Sequence, residues 1–180
     1  MRRWIGCTAL GTMVFFAQAG LSAQEFKVQD AEPQRPVADY FSDAWLKEHV
    51  PQLLEKARTT EDGTAAIVLH RYPNNYMNLM VRIKTGVGEM HADWTDVLIA
   101  LDGEANIITG GTLVDRKDSA GGESRGSRSE GGTDHIMHKG DVIHIMPGVA
   151  HWTVLPSGKN FVFFAVKIQT PREGVLPVSH

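Results

Sequence analysis

Short apolar or alternating segments, separated by turn residues, recur along the chain from Thr64 onward. Their spacing of roughly eight to twelve residues predicts an all-β sandwich or barrel. Asp102-Gly103 and Gly110-Gly111 indicate hairpin turns, because both dipeptides tolerate the positive φ that such turns require. The predicted strands cover residues 65–72, 77–85, 97–101, 105–109, 112–115, 136–138, 141–145, 151–155 and 161–168.

A helical pattern precedes these strands. Residues 40–58 place most of their apolar side chains on one face, which predicts a helix in two pieces. Ser42 is a suitable N-cap for the first piece. Pro51 suits the first turn of the second piece, where its missing N–H costs nothing. We expect this helix to pack across the outside or the end of a barrel.

Two further segments do not fit the strand pattern. Residues 116–134 are rich in glycine, serine and arginine and contain almost nothing apolar, so we expect a long surface loop. Pro171 and Pro177 indicate a loose or edge-packed tail over residues 169–180. The remaining boundaries divide the chain into a leader and helical segment over residues 24–63 and a single barrel over residues 64–168.

The first residues have the composition of a secretory signal peptide. Arg2 and Arg3 precede an apolar run, and Leu21-Ser22-Ala23 supplies small residues at a cleavage point. The alternative is a membrane anchor, but the run is short for a membrane span and Gln18 interrupts it. We therefore expect residues 1–23 to be removed, which leaves a periplasmic or secreted protein with no stable membrane span.

Charge and cysteine content restrict the chemistry of the mature chain. The full chain has a net charge of −3, and cleavage would remove two arginines and no acidic residue. This acidity argues against nucleic acid as a partner, because nucleic-acid binding needs a basic surface. The lone cysteine, Cys7, would leave with the signal peptide. Any metal ion must then be held by nitrogen and oxygen atoms.

Two glycine-bounded segments, residues 86–103 and 140–151, each place a histidine where a strand begins or ends. His91 is followed by Asp93, which would share its strand face, and by Asp96 after a short corner. His151 follows the turn Met146-Pro147-Gly148. Imidazole and carboxylate together suit a divalent Mn, Fe, Zn, Ni or Co ion. The alternative is that each histidine is an ordinary hydrogen-bonded polar group.

These segments resemble the two signature motifs of the cupin superfamily, G-x5-H-x-H-x3,4-E-x6-G and G-x5-P-x-G-x2-H-x3-N. Gly140, Gly148 and His151 fall on the second motif at the expected spacing, with Met146 at the proline position and Leu155 at the asparagine position. In the first motif, His91 matches a histidine and Asp93 stands at the position of the second histidine. Asp96 takes the glutamate position, with six residues between it and Gly103.

The resemblance implies a small jelly-roll barrel with His91, Asp96 and His151 as metal ligands and Asp93 as a weaker fourth ligand or a base. It implies a metal-dependent protein that acts on a small organic molecule, with the reaction type open. The alternatives are a non-catalytic module that binds a sugar-like ligand, and a barrel used for homodimerisation. No G-x-S-x-G elbow, phosphate loop or dinucleotide fingerprint supports another class of enzyme.

Several other residues border these candidates. His144 would be a further ligand or base if it faced the barrel interior, although a structural role is the simpler prediction. His135 and His138 are expected at the surface beside the glycine-rich segment. Tyr76 and Asn78, on the strand that leads towards His91, are candidates to line the mouth of the barrel.

Overall fold

A computed structural model describes residues 38–170 of the 180-residue chain. The signal-peptide prediction and most of the predicted leader and tail therefore lie outside the described residues. Within them, the structure is an all-β barrel with an N-terminal α-helix, which confirms the predicted fold class. The elements are α1 (Asp43–Arg58), β1 (Thr64–Tyr72), β2 (Asn75–Arg82), β3 (Gly88–His91), β4 (Trp94–Thr109), β5 (Thr112–Val114), β6 (Lys117–Ser119), β7 (Glu123–Gly126), β8 (Arg128–Glu130), β9 (Thr133–His138), β10 (Val142–Ile145), β11 (His151–Val154) and β12 (Phe161–Gln169).

The helix α1 is continuous, which corrects the prediction of two pieces. Ser42 caps it as predicted, with its hydroxyl accepting a hydrogen bond of 3.1 Å from the Trp45 N–H. Pro51 lies inside the helix rather than opening a second one. Because proline has no N–H, the Lys47 carbonyl lacks its usual hydrogen bond from residue 51. The helix nevertheless continues beyond Pro51. Leu53 and Ala57 are buried against the barrel.

The main sheet has the strand order β1-β2-β12-β4-β11-β3-β7-β6, and β9 and β10 also pair with β4. Every pairing recorded between the described strands is antiparallel, and β5 and β8 form a separate small sheet. The first half of β4 pairs with β12 and β10, and its second half pairs with β11 and β9. This long strand therefore joins both halves of the barrel.

The predicted hairpin turn at Asp102-Gly103 is wrong, because β4 runs through it as one strand. A register shift opposite Val162 and Phe163 marks a β-bulge there. Gly103 has φ +79°, and a Cβ atom at this position would lie 2.0 Å from the Asn160 carbonyl oxygen. Glycine is therefore required two residues beyond the bulged Leu101, by the positive φ and by the close approach of Asn160. The Asp-Gly pattern alone does not distinguish this arrangement from a turn.

Strands β2 and β12 carry apolar side chains on both faces, which explains why their sequences are almost continuously hydrophobic. One face packs inside the barrel and the other packs under α1. The interior cluster consists of Leu98, Ala100, Ala105, Ile107, Met137, Ile145, Phe161, Phe163 and Ala165. The cluster under the helix consists of Leu53, Ala57, Ala65, Leu79, Val81 and Val162.

The prediction of a surface loop over residues 116–134 is also wrong in part. This segment forms β6, β7 and β8, and Ser124 and Ser129 are buried. The Ser124 hydroxyl donates to Asp118 at 2.7 Å, and the Ser129 hydroxyl donates to the Gly110 carbonyl at 2.7 Å. Hydrogen bonds satisfy these buried polar groups, so the segment forms strands without a hydrophobic pattern.

Within residues 38–170, no helix has the length and apolar character needed to span a membrane.

Candidate metal centre

The two motif segments meet where β11 pairs with both β3 and β4. His91 is the last residue of β3, and His151 is the first residue of β11. The Gly148 N–H donates a hydrogen bond of 2.7 Å to the His91 carbonyl, and this joins the turn before β11 to the end of β3. The fold thus brings together two histidines that are far apart in sequence.

Asp96 lies between the two imidazoles. Its Oδ2 atom is 3.4 Å from His91 Nε2 and 3.4 Å from His151 Nε2. Two ligand atoms that bind one ion at about 2.1 Å with tetrahedral angles are themselves separated by about 3.4 Å. The side chains of His91, His151 and Asp96 are only 7%, 7% and 4% exposed. The structure therefore brings together the three residues predicted as metal ligands, in a spacing that suits an ion.

Glu89 is a fourth candidate ligand that the sequence analysis missed. One ligand atom each from Glu89, His91 and His151 lies within 4.8 Å of the others. Glu89 precedes His91 by two residues on β3, so both side chains point to the same face. The Arg125 guanidinium donates to Glu89 Oε1 at 2.8 Å. The sequence signal was the i, i+2 spacing that had singled out Asp93. Glu89 has the same spacing from His91, but on its N-terminal side.

Asp93 is not part of this group. The strand β3 ends at His91, so the expected sharing of a strand face between His91 and Asp93 does not occur. The Asp93 carbonyl accepts a hydrogen bond from Thr170 N, and its carboxylate lies beside Gly122. The role of Asp93 as a base or a fourth ligand stays a prediction.

Both imidazoles are oriented by hydrogen bonds at Nδ1. His91 Nδ1 lies 2.6 Å from Glu123 Oε2, and His151 Nδ1 lies 3.2 Å from the Val149 carbonyl. Because a carbonyl oxygen only accepts, the His151 Nδ1 atom carries the hydrogen and Nε2 is left for another partner. Partners of this kind fix the ring orientation of metal-binding histidines. Glu123 belongs to β7, inside the segment predicted to be a loop, so sequence reasoning did not find it.

Lys167 is the third site residue that the sequence analysis missed. It lies opposite Asp96 in the pairing of β12 with β4. Its Nζ atom is 2.7 Å from His91 Nε2 and forms a close ion pair with Asp96 Oδ2. The signal was present in the alternation of β12, since Phe161, Phe163 and Ala165 point inward and Lys167 continues that series.

The charges of the site keep its carboxylates ionised. Burial raises the pKa of Asp96, but its contacts with His151 and His91 and the charge of Lys167 hold that pKa well below its usual range. Burial also raises the pKa of Glu89, and the charge of Arg125 is the main cause that brings it below its ordinary value. Ionised carboxylates are the form that binds a metal ion.

The pKa of His91 is shifted in the opposite direction. Burial lowers it, but the carboxylates of Asp96 and Glu123 raise the pKa to about 9. Since Nε2 has a single lone pair, an ion that binds His91 there must displace either a proton or a hydrogen bond from the Lys167 ammonium.

An ion fits this donor set. Two imidazole nitrogens with two carboxylate oxygens suit Mn, Fe, Co, Ni or Zn. Within residues 38–170, Asp96 Oδ1 is buried and has no hydrogen-bond partner, so this carboxylate has capacity for a further ligand. The Lys167 ammonium contacts two of the same donor atoms, and it has to move if an ion binds there.

The other candidate histidines lie away from this centre. His135, His138 and His144 are exposed, which confirms the surface prediction for the first two and places His144 on the outside of the barrel. Asn78 is buried, and Tyr76 packs edge-on against Trp94 with ring centroids 5.3 Å apart.

No protein-family model and no curated protein sequence matches the chain. Similar solved structures include a Cupin 2 conserved barrel domain protein from Salinispora arenicola CNS-205, with 21% identity, a TM-score of 0.42, and coverage of 61% of this chain and 78% of that one. The protein TT1209 from Thermus thermophilus has 15% identity and a TM-score of 0.49, over 74% of this chain and 100% of that one.

A recombinant oxalate oxidase in complex with glycolate is also similar, with 15% identity and a TM-score of 0.44 over 62% of this chain. The chain spans only 53% of that oxalate oxidase and 60% of Peruvianin-I, a cysteine peptidase from Thevetia peruviana latex. Proteins named as cupins are thus among the structures that this barrel is similar to.

Proposed function

We propose that this chain is a metal-binding cupin-type protein in which Glu89, His91, Asp96 and His151 hold one divalent ion. The observation that carries the proposal is the position of Asp96 Oδ2, 3.4 Å from the Nε2 atoms of both histidines. The orientation of each imidazole through Nδ1 supports it, because Nε2 is then directed to a common point.

The partner in this proposal is a small organic molecule. Glu123, which orients His91, also lines a cavity of about 230 Å³, whereas the four donors do not line it. Cavities that hold drug-sized ligands are larger, at about 300–1,000 Å³, so a compact molecule fits this one better. A bound ion would polarise a carbonyl or hydroxyl group, or activate water or O2.

The protein's own groups have separate tasks in this proposal. Glu123 and the Val149 carbonyl orient the ligands, and the apolar barrel interior keeps bulk water from the buried donors. Asp93 stays the proposed base, although it lies past the end of β3. Which reaction follows, whether of the dioxygenase, isomerase or lyase type, is left open because the fold does not select it.

Elemental analysis of the full chain, expressed with its own N-terminus and recovered after export, tests this proposal. We expect about one transition-metal ion per chain in the wild type and a near-complete loss in a His91→Ala, His151→Ala double variant. A His138→Ala, His144→Ala double variant is the matched control, because both of these histidines are exposed. An equal and near-zero metal content in all three proteins, even after incubation with Mn²⁺, Fe²⁺ or Zn²⁺, would contradict the proposal.

A second candidate function has one observation in its favour. The Lys167 ammonium contacts His91 Nε2 and Asp96 Oδ2, so the site has an internal cation of its own. In that case the barrel is a non-catalytic module that binds a small ligand, such as a sugar, without a metal. A rise in melting temperature with ligand, together with no response to metal or chelator, would favour this module.

A further inference from the structure

A row of polar side chains crosses the barrel interior from the edge of the sheet to the candidate metal centre. Arg71 on β1 pairs with Tyr76 on β2, Tyr76 pairs with Lys167 on β12, and Lys167 pairs with Asp96 on β4. Directly paired residues of antiparallel strands point to the same face. Because Lys167 continues the inward series of β12, this face is the barrel interior.

The two cations of this row are only partly neutralised within residues 38–170. Lys167 pairs with Asp96, but Asp96 also contacts His91 and His151. The Arg71 guanidinium carbon lies 4.4 Å from the centroid of the Tyr76 ring, and its Nε atom is buried without a hydrogen-bond partner among these residues. A buried N–H donor without a hydrogen-bond partner destabilises the protein. A ligand with a hydrogen-bond acceptor therefore suits this row of side chains.

Loading of the metal centre would add two positive charges beside Lys167. The Lys167 Nζ atom is 2.7 Å from His91 Nε2, an atom that the ion needs. Because the ammonium and the ion repel each other, Lys167 has to leave His91 Nε2 and Asp96 Oδ2 when the ion binds. Its charge then lies close to a divalent cation, and an anion between the two relieves the repulsion.

We propose that Lys167, with Arg71 behind it, binds the carboxylate of a small organic acid beside the metal ion. This inference rests on the proposed metal-binding function and narrows its substrate to one chemical class. The carboxylate accepts hydrogen bonds from the Lys167 ammonium, and the positive charge of Arg71 on the far side of Tyr76 increases the attraction. Neutral sugars and alcohols offer no charge to balance these cations, so they bind weakly.

Propionate and its neutral analogue propionamide test the inference on the metal-loaded full chain. Isothermal titration measures the affinity of both compounds for the wild type and for Lys167→Met, which keeps the length of the side chain and removes its charge. Lys159→Met is the matched control, because Lys159 is exposed in the turn before β12. We expect propionate to bind the wild type and Lys159→Met equally, and at least tenfold more weakly to Lys167→Met.

Lys167→Met should weaken propionate binding without weakening metal binding. Removal of the ammonium removes a competitor for His91 Nε2 and Asp96 Oδ2, so Lys167→Met should retain its metal, or bind it more tightly than the wild type. A Lys167→Arg variant keeps the charge and should keep most of the propionate affinity. This pair separates loss of charge from a folding defect, which would lower both affinities together.

The outcomes separate the two proposals. Metal at full occupancy with equal propionate affinity in Lys167→Met and Lys159→Met would overturn this inference and leave the metal site standing. Equal affinity of the wild type for propionate and propionamide would overturn it as well. If the wild type takes up no metal, the proposed function fails, and the carboxylate site that depends on it fails too.

Discussion

At the scale of single residues, the candidate centre depends on one buried aspartate and on the groups that surround it. Asp96 was predictable from the sequence because it falls on a motif position, with six residues between it and Gly103. The contacts that Glu123 and Lys167 make with this group were not predictable, since each comes from a distant strand and neither lies near a motif glycine. A single sequence identifies residues that a local pattern marks, but it does not reveal which distant side chains the fold brings beside them.

Glu123→Gln tests the orientation of His91. The amide removes a negative charge and the strong acceptor at 2.6 Å from His91 Nδ1. Loss of such a partner typically lowers metal affinity by about 10- to 100-fold. Competition with a fluorescent chelator measures the change, and Glu130→Gln on the exposed edge of β8 is the control. Affinities within twofold of each other in the wild type and Glu123→Gln would show that His91 does not depend on this contact.

Tyr76 provides a prediction that depends on pH. Burial is the main cause that raises the pKa of its hydroxyl to about 12, with the charge of Asp96 next, while Arg71 lowers it. Because the folded protein favours the neutral phenol, this contribution to stability is complete below about pH 10, the ordinary tyrosine pKa, and is lost as the pH rises towards about 12.

Absorbance at the phenolate wavelength measures this titration in the folded protein. We expect one component near pH 12 in the wild type that disappears in Tyr76→Phe, while the other tyrosines continue to titrate. The prediction is wrong if Tyr76→Phe removes a component near pH 10 instead.

At the scale of secondary-structure elements, the hydrophobic pattern identified the strands that bury apolar side chains. The strands β1, β2 and β12 lie close to their predicted positions, because alternating or continuous apolar residues mark them. The strands β6, β7 and β8 were missed because hydrogen bonds, rather than apolar burial, stabilise their buried serines. The bulge in β4 was missed because an Asp-Gly pair is compatible with both a bulge and a turn.

Two glycine substitutions test the close approach of Asn160 to Gly103. Gly103→Ala would place its Cβ 2.0 Å from the Asn160 carbonyl oxygen at φ +79°, so backbone strain and a steric clash add together. Gly140→Ala is the matched control, because φ is +95° but no atom lies within 4 Å of the added Cβ.

We expect Gly140→Ala to lower the free energy of unfolding by about 1 kcal/mol, and Gly103→Ala to lower it by about 3 kcal/mol or more. Urea unfolding followed by tryptophan fluorescence gives both values. Equal destabilisation by the two substitutions would mean that the backbone around Gly103 relaxes to accept a side chain.

At the scale of the whole molecule, the barrel separates an apolar interior from a charged end. The cluster that includes Phe161 and Phe163 occupies the inside, and Lys167, Asp96 and the two histidines lie towards the end of β12. The sequence predicted this general plan, because composition, turn spacing and the two motif segments all indicated a small barrel. It did not predict that a lysine would contact the candidate ligands, since that contact depends on the register between β12 and β4.

Export is a prediction about the whole chain. If residues 1–23 are a signal peptide, the protein recovered from the periplasm or the medium begins at Gln24. Intact-mass spectrometry of the exported protein measures the cleavage directly. Replacement of Arg2 and Arg3 by glutamate should retain the full-length precursor in the cytoplasm. Recovery of an uncleaved full-length chain outside the cytoplasm would contradict the prediction.

The pairing of β11 with both β3 and β4 has a consequence for how the barrel would respond to metal supply. An ion held by Glu89, His91, Asp96 and His151 would cross-link three strands, and opening the barrel at that end would release it. Since only the closed barrel offers all four donors, free metal at 100 times its dissociation constant would add about 2.7 kcal/mol to the free energy of unfolding. The melting temperature of the protein would then rise with the free metal concentration of its surroundings.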